Sequence, residues 1–273
     1  METRIKVGIL SGTGVDAERL ISVKGSETVN TPYGAPSGPV LSGVIGNTPC
    51  VIISRHGKDH KSHAGRVNYR ANIWALKKQG CTHVIATTAC GSLREEICPQ
   101  DMVFIDQFID RTTSRVQTFY NGSDGACHVS TAEPFCKESR QLLCAAAMEL
   151  GIRFHSTGTM VTIEGPRFST RAESRMYRMW GADVINMTTV PEAVLAKEAG
   201  LCYAAVALVT DYDCWKERDA PVTVDMVMAA MKNNGDSATR LIKMWVEMAE
   251  KENWSEVIFQ AQEQARNAVV RTG

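Results

Sequence analysis

Short apolar runs rich in β-branched residues alternate with helical patterns along most of the chain. The apolar runs predict strands over residues 6–10, 40–45, 50–54, 84–88, 102–109, 157–163, 184–187 and 201–210, with 40–45 and 50–54 forming a hairpin. The helical patterns, most of which stop at a glycine, predict helices over residues 71–79, 137–150, 170–180, 191–199 and much of the chain from 224 onward. We therefore predict an α/β fold in a single domain over residues 1–273, with a mixed central β-sheet flanked by helices.

Charge and composition argue against several classes of partner and location. The 273 residues include 30 basic and 30 acidic side chains, so no net field favours nucleic acid or an anionic membrane. The longest apolar run, residues 201–209, is far too short to span a bilayer, and the N-terminal run is too short for the core of a signal peptide. The nine cysteines are odd in number and include no Cys-x-x-Cys pair, which indicates reduced thiols. We expect a cytoplasmic protein, or one that is also nuclear, with no nucleic-acid or membrane partner.

Four predicted strands end in polar residues or glycines, at residues 11–14, 55–57, 87–91 and 210–213. Because ligand sites of such folds lie at the carboxyl ends of the strands, these segments predict one shared site. The glycine turn at 11–14 offers backbone N–H groups and the Thr13 hydroxyl to a single anion. Arg55 adds a permanent cation whose fork suits phosphate, and small residues after Thr88 let backbone amides approach it. Together these segments predict a phosphate site.

Other interpretations of the same residues are open. Residues 12–17 match the dinucleotide pattern G-x-G-x-x-G/A, but they lead to a Pro/Gly-rich loop at 31–38 rather than to a full helix and an acidic strand end. The glycines can also form a plain turn, and Arg55 can belong to a structural salt bridge. His56, His60 and His63 suggest a metal site only if one helix carries them, which Gly57 disfavours, so we predict no metal.

Asp211 and Asp213 flank Tyr212 at the end of the most apolar predicted strand. In an extended segment residues i and i+2 point to the same face, so the two carboxylates are predicted to lie close together. Neighbouring carboxylates raise each other's proton affinity, and one of them can then carry a proton for donation. Surface aspartates in a turn are the commoner explanation of such a pair, but the nine apolar residues before them favour a catalytic role.

Longer segments carry a specific resemblance: VGILSGTG at 7–14, RHG at 55–57, VNYRANIWA at 67–75, TTACGSLREE at 87–96, TIEGPRF at 162–168, VINMTTVPE at 184–192 and TDYDCW at 210–215. Through them the chain resembles the trimeric purine-nucleoside phosphorylase family over nearly its whole length, and most closely the members that act on methylthioadenosine. The resemblance implies the nucleoside phosphorylase fold and phosphorolysis of 5′-deoxy-5′-methylthioadenosine to adenine and 5-methylthioribose-1-phosphate, a step of methionine and purine salvage. Phosphorolysis of inosine and guanosine is the alternative. Inorganic phosphate is then a co-substrate, no cofactor is needed, and the expected assembly is a homotrimer with shared sites.

The resemblance also implies roles for individual residues. Phosphate is expected on Thr13, Arg55, His56, Thr88, the Ala89 amide and Thr188. The ribose is expected along Met187, the purine near Phe168, and Ser169 and Thr210 belong to the same substrate-binding set as Asp211 and Asp213, which face the purine edge. The methylthio group is expected against Val224, Val227 and Met228, with His128 and Val270 supplied by a neighbouring subunit.

Three positions bear on specificity. Relatives that prefer 6-oxopurines carry asparagine where this chain has Asp213, so the carboxyl group indicates an aminopurine. Ser11 and Val270 replace a glycine and a leucine of the close relatives, which leaves the range of accepted 5′ substituents open.

Overall fold

The computed structural model describes residues 4–12, 14–57, 62–123, 125–217 and 223–270. Its strands are β1 (Val7–Ser11), β2 (Ser22–Glu27), β3 (Val40–Ile45), β4 (Thr48–Ser54), β5 (His83–Ser92), β6 (Met102–Phe104), β7 (Gln107–Arg111), β8 (Ala126–Cys127), β9 (Phe154–His155), β10 (Thr159–Ile163), β11 (Val184–Asn186), β12 (Cys202–Tyr212) and β13 (Val269–Val270). Its α-helices are α1 (Ala17–Leu20), α2 (Tyr69–Lys78), α3 (Lys137–Glu149), α4 (Arg171–Met179), α5 (Thr189–Glu198), α6 (Val224–Ala249) and α7 (Ser255–Asn267). The predicted α/β class is confirmed.

Eleven strands form one mixed sheet, and β8 and β13 pair separately as a two-stranded ribbon. At the centre of the sheet β1 is parallel to β4 and β5, and β12 is parallel to β5. A second group follows: β10 is parallel to β7 and β11, and β11 joins the end of β5 in antiparallel orientation. The carboxyl ends of β1, β4, β5 and β12 therefore meet at one edge, as the sequence predicts.

Alternate residues of β12 enter two different cores. Ala204 and Val206 pack into the core that contains α3 and α6, whereas Ala205 and Ala207 pack into the core that contains α2 and α5. Helices on both faces explain why the strand is apolar throughout. No helix within the described ranges, including the 26-residue α6, is long and apolar enough to cross a membrane.

The chain after β1 decides against a dinucleotide-binding unit in the described residues. The glycine turn is followed by α1, which has only four residues, and then by β2, which pairs antiparallel with β3. Such a unit needs a full helix that returns to a parallel strand. The predicted hairpin is confirmed, because β3 and β4 are antiparallel neighbours joined through Gly46 and Asn47.

Several predicted strand boundaries are wrong. The single strand predicted over 102–109 is two strands, β6 and β7, which pair with different parts of the sheet. Ile105 N still donates to Ala205 O, but the Asp106 carboxylate then accepts from Gly158 N and the chain turns toward β10. The run predicted over 157–163 corresponds to β10, which begins two residues later than predicted, at Thr159. The strand β5 continues four residues beyond its predicted end at residue 88. The strands β2 and β9 are not predicted at all.

Candidate active site

A cavity of about 530 Å³ lies where the four central strands end, a volume ordinary for a small-molecule site. Most of the predicted site residues line it: Arg55, His56, Thr88, Ala89, Phe168, Ser169, Met187, Thr188, Thr210, Asp211, Asp213, Val224 and Val227. Met228, His128 and Val270 are not among the described residues of its wall. Thr13 lies outside the described residues.

The glycine turn is fixed by close approaches that leave no room for a side chain at Gly12. Gly12 N donates to Thr87 Oγ1 at 2.9 Å, and a Cβ on Gly12 would lie 2.5 Å from Thr87 O and 3.0 Å from Arg55 Nη1. Ser11 is paired with Ser54 across the β1–β4 ladder, and Arg55 N donates to Ser11 O. The turn after β1 and the residues after β4 therefore begin at the same level of the sheet.

The Arg55 side chain is 1% exposed and packs against this turn, where hydrogen bonds fix its guanidinium group. Nε and Nη2 donate to the two carboxylate oxygens of Glu192 at 2.7 and 2.8 Å, and Nη1 donates to Thr87 O at 2.8 Å. Burial opposes the charge, but Glu192 holds the pKa of Arg55 above its ordinary value. Arg55 thus forms the structural salt bridge and also lines the cavity, with its Nη1 atom beside Gly12.

Sequence reasoning missed Glu192, which is fully buried in α5 and also accepts from Tyr203 OH at 2.8 Å. A buried carboxylate has to be paired, so an acidic residue within an apolar helix is the sequence feature that could have indicated a buried ion pair here. The partner could not be read from spacing, because Arg55 lies 137 residues earlier.

A buried hydroxyl network joins the middle of β5 to the end of β11. Thr88 Oγ1 lies 3.1 Å from Thr188 Oγ1 and accepts from Asn186 Nδ2 at 3.0 Å, while the same amide nitrogen donates to Thr189 Oγ1. Thr162 Oγ1 donates to the other end of that amide, at Asn186 Oδ1. Thr88 and Thr188 are therefore brought together as predicted, and Asn186 is the residue that positions them.

His56 and Ala89 complete the polar half of the cavity. His56 Nδ1 lies 2.8 Å from Ser62 O, which fixes the plane of the imidazole ring. Ala89 continues β5 directly after Thr88. The residues predicted to bind phosphate, where described, therefore all line the same cavity.

Asp211 and Asp213 are both buried, and β12 is irregular where they begin. The register against β5 shifts between Val209 and Asp211, which is a β-bulge. Bulges re-aim side chains next to functional sites, and here both carboxylates face the cavity. Thr210 Oγ1 donates to Asp211 Oδ2 at 2.6 Å, whereas the Asp213 backbone N–H donates to Ser92 O.

Asp213 is the carboxyl group whose surroundings favour a proton. Burial raises the pKa of Asp213 above its ordinary value, and the nearby Ser174 hydroxyl and Cys214 amide offset this only in part. Ser174 Oγ is itself buried without a hydrogen bond of good geometry, so its stabilisation of the carboxylate is weak. A carboxyl group with a raised pKa is suited to donate a proton.

The apolar half of the cavity is formed by two segments that follow β10 and β11 and by the start of α6. Gly165, with φ of +67°, packs so closely that a Cβ would lie 2.5 Å from Met187 Sδ. Cys214 Sγ donates to Ser169 O at 3.2 Å, which ties this wall to the end of β12. Phe168 and Val224 are 47% and 64% exposed, so this half is open to solvent.

His128 and Val270 lie together on the β8–β13 ribbon. His128 N donates to Ala268 O, and Val270 pairs with Ala126. Both side chains are exposed and neither lines the cavity of its own chain. That arrangement is compatible with the prediction that they reach a neighbouring subunit, which stays a prediction.

Among the described residues no group of three or more His, Cys, Asp or Glu side chains is arranged to hold a metal ion. His56 and His63 both line the cavity, and His60 lies outside the described ranges.

Residues 6–247 match the family model described as the phosphorylase superfamily. The chain belongs to this superfamily. Among its relatives, the S-methyl-5′-thioadenosine phosphorylase of Danio rerio is 54% identical over 260 residues, covering 94% of this chain and 93% of that protein. The enzyme of the same name from Xenopus tropicalis is 53% identical over 259 residues, covering 93% and 92%.

Solved structures of phosphorylases have the same fold. Methylthioadenosine phosphorylase from Schistosoma mansoni in complex with adenine superposes with a TM-score of 0.95 at 40% identity, covering 97% of this chain and 99% of that one. A mutant of the adenosine/methylthioadenosine phosphorylase from the same organism, in complex with methylthioadenosine, gives a TM-score of 0.94 at 41% identity, with the same coverage.

Membership of the phosphorylase superfamily favours the anion interpretation of the 11–14 turn over the dinucleotide one, in agreement with the four-residue α1. The roles of individual residues stay predictions.

Proposed function

We propose that this chain cleaves 5′-deoxy-5′-methylthioadenosine with inorganic phosphate, giving adenine and 5-methylthioribose-1-phosphate. The observation that carries this is one cavity that is lined both by Arg55, Thr88 and Thr188, which are suited to an anion, and by the buried acid Asp213, whose pKa is raised. The relatives that match almost the whole chain carry the name of this activity, and a related enzyme binds methylthioadenosine. No metal or organic cofactor is part of the proposal.

Asp213 acts on the leaving group. The C–N glycosidic bond breaks more easily when the purine accepts a proton at N7, because the base then leaves as a neutral molecule. Burial raises the pKa of Asp213 and so favours a proton on it, and Asp211, oriented by Thr210, accepts a hydrogen bond from the purine edge. A carboxyl group at position 213 matches the 6-amino and N7 edge of adenine.

Phosphate acts on the sugar. Phosphate held by the turn, Thr88, Ala89 and Thr188 stabilises the positive charge that develops at the anomeric carbon, and then bonds to that carbon. Arg55, fixed by Glu192, places a permanent cation next to the same turn. Because phosphate and the nucleoside are held in one cavity, less entropy has to be lost when they react, and this lowers the activation barrier.

The experiment that tests the proposal is an assay of adenine release with and without inorganic phosphate. We expect adenine to form from methylthioadenosine only when phosphate is present, together with stoichiometric sugar phosphate. Binding of methylthioadenosine without adenine release would instead indicate a nucleoside-binding protein. The alternative activity, phosphorolysis of inosine and guanosine, is decided by comparing kcat/KM on methylthioadenosine and inosine, and we expect the former to be larger.

A further inference from the structure

Arg115 is a buried cation outside the cavity that binds the backbone of two stretches of chain next to it. Its side chain is 3% exposed and lies in the loop after β7. Its Nη1 donates to Met187 O at 2.6 Å and Val190 O at 2.7 Å, and its Nη2 donates to Glu164 O at 2.7 Å. These carbonyls belong to the segments after β10 and β11 and to the beginning of α5.

Arg115 is itself fixed from two sides. The Glu164 carboxylate accepts from Arg115 Nε at 3.3 Å and from the Thr113 and Ser114 amides at 2.6 and 3.2 Å. Burial opposes the charge on Glu164, but these donors lower the pKa of Glu164 to about 2. On the other side the guanidinium carbon lies 5.5 Å from the ring centre of Tyr69, whose hydroxyl donates to Ala64 O.

The segments held by Arg115 form the nucleoside half of the cavity. Met187 lines the cavity, and Glu164 begins the segment that continues to Phe168 and Ser169. The phosphate half has separate anchors, because Asn186 and Thr188 hold Thr88 and Glu192 holds Arg55. Arg115 also holds Val190 O, which lies between Thr188 and Glu192, but the hydrogen bonds of Thr188 and Glu192 do not involve Arg115. Loss of Arg115 is therefore expected to act mainly on the nucleoside half of the site.

We infer that Arg115 is a positioning residue for nucleoside recognition: it sets the distance between the Met187 wall and the Phe168 wall without touching substrate. The inference rests on the proposed phosphorolysis. A planar guanidinium can serve three carbonyls in fixed directions, which an ammonium group cannot reproduce.

The primary test is Arg115→Lys, assayed with methylthioadenosine and phosphate varied independently. We expect the KM for methylthioadenosine to rise about tenfold or more and the KM for phosphate to change less than about threefold. The matched control is Arg140→Lys, since Arg140 also donates to a backbone carbonyl, at Ser156, but away from the cavity. The control is expected to keep both KM values.

Glu164→Gln is the second variant, and it keeps the test decisive if Arg115→Lys does not fold. It keeps the shape of the side chain and removes the charge that orients Arg115, so a smaller rise in the same KM is expected. Calorimetric titration with methylthioadenosine in the absence of phosphate is expected to rank the affinities in the same order. The parent should bind most tightly, Glu164→Gln less tightly and Arg115→Lys least tightly. Folded variants with unchanged nucleoside KM and affinity would overturn the inference, as would equal changes in both KM values. A parent protein that releases no adenine would instead overturn the proposed function.

Discussion

Asp213 and Arg55 are both buried at the cavity, but their charges are balanced in different ways. Arg55 is matched by Glu192 at two hydrogen bonds, so its charge is compensated within the protein. For Asp213 burial is the largest influence, and it raises the pKa of the carboxyl group. The first arrangement supports a permanent electrostatic role, and the second supports proton transfer.

Asp213→Asn tests the choice of base. Asparagine has nearly the same shape but cannot pass a proton to N7, while its amide can still donate to a 6-oxo group. We expect the variant to lose most activity on methylthioadenosine and to gain relative activity on inosine, because an unpaired buried donor or acceptor strongly disfavours the wrong purine edge. Steady-state kinetics on both substrates measure this. An unchanged ratio of kcat/KM values would move the choice of base to Asp211 or elsewhere.

The same substitution tests the effect of burial on stability. Since the pKa of Asp213 is raised in the folded state, its contribution to stability is present at acid pH and is lost as pH rises through that pKa. Asp213→Asn removes the buried charge, so we expect a higher Tm than the parent at pH 7 and a difference that shrinks toward acid pH. Asp236→Asn is the control, because that side chain is 81% exposed. Equal effects of the two variants at all pH values would contradict the prediction.

Arg55→Lys tests the cation at the phosphate turn while keeping a positive charge beside Glu192. Lysine loses the fork that reaches both Glu192 oxygens and Thr87 O. We expect the KM for phosphate to rise about tenfold or more, with little change in the nucleoside KM. The measurement is a phosphate titration of activity. The control variant is Arg94→Lys, because Arg94 forms an ion pair with Asp183 outside the cavity. A parent-like phosphate KM would remove Arg55 from the anion site.

At the scale of elements, the sequence predicts what depends on local pattern and fails where distant partners decide. The helices α2 to α5 and the β3–β4 hairpin follow from periodicity and closing glycines, because those signals lie within each segment. The run 102–109 is apolar at six of its eight positions, with Asp106 and Gln107 in its middle. It divides there because β12 and β10 offer different partners on either side of Asp106. Glu192, Asn186 and Arg115 were missed as site-supporting residues for the same reason.

The Arg55–Glu192 pair joins the end of β4 to α5. Its contribution to the free energy of unfolding can be measured by substituting Glu192, the partner in the helix. Glu192→Ala leaves a fully buried guanidinium without its carboxylate, so we expect unfolding to become easier by about 3–5 kcal/mol. Glu173→Ala removes the half-buried capping-box carboxylate of α4 and is expected to cost only about 1 kcal/mol. Denaturant unfolding of both variants gives the comparison. Similar losses would mean that the buried pair does not hold α5 to the sheet.

At the scale of the whole molecule, the cavity is open on its apolar side, and the ribbon residues lie exposed outside the cavity of their own chain. Phe168, Val224 and Met228 are exposed, and so are His128 and Val270. In the homotrimer that the sequence predicts, each ribbon would close the 5′ pocket of a neighbour. Analytical ultracentrifugation of the active protein is expected to give a trimer, and a fully active monomer would contradict the shared site.

If the β8–β13 ribbon completes the active site of a neighbouring subunit, variants of the two parts of the site should complement each other. His128→Ala would then damage the site of the next subunit, whereas Asp213→Asn damages the site of its own chain. Equal amounts of the two variants can be unfolded together and reassembled. About a quarter of the resulting sites would then combine an intact cavity with an intact ribbon. Two nearly inactive alleles would thus complement each other in one cell, although neither restores activity alone. Mixed oligomers no more active than the separate variants would show that each chain works with its own histidine.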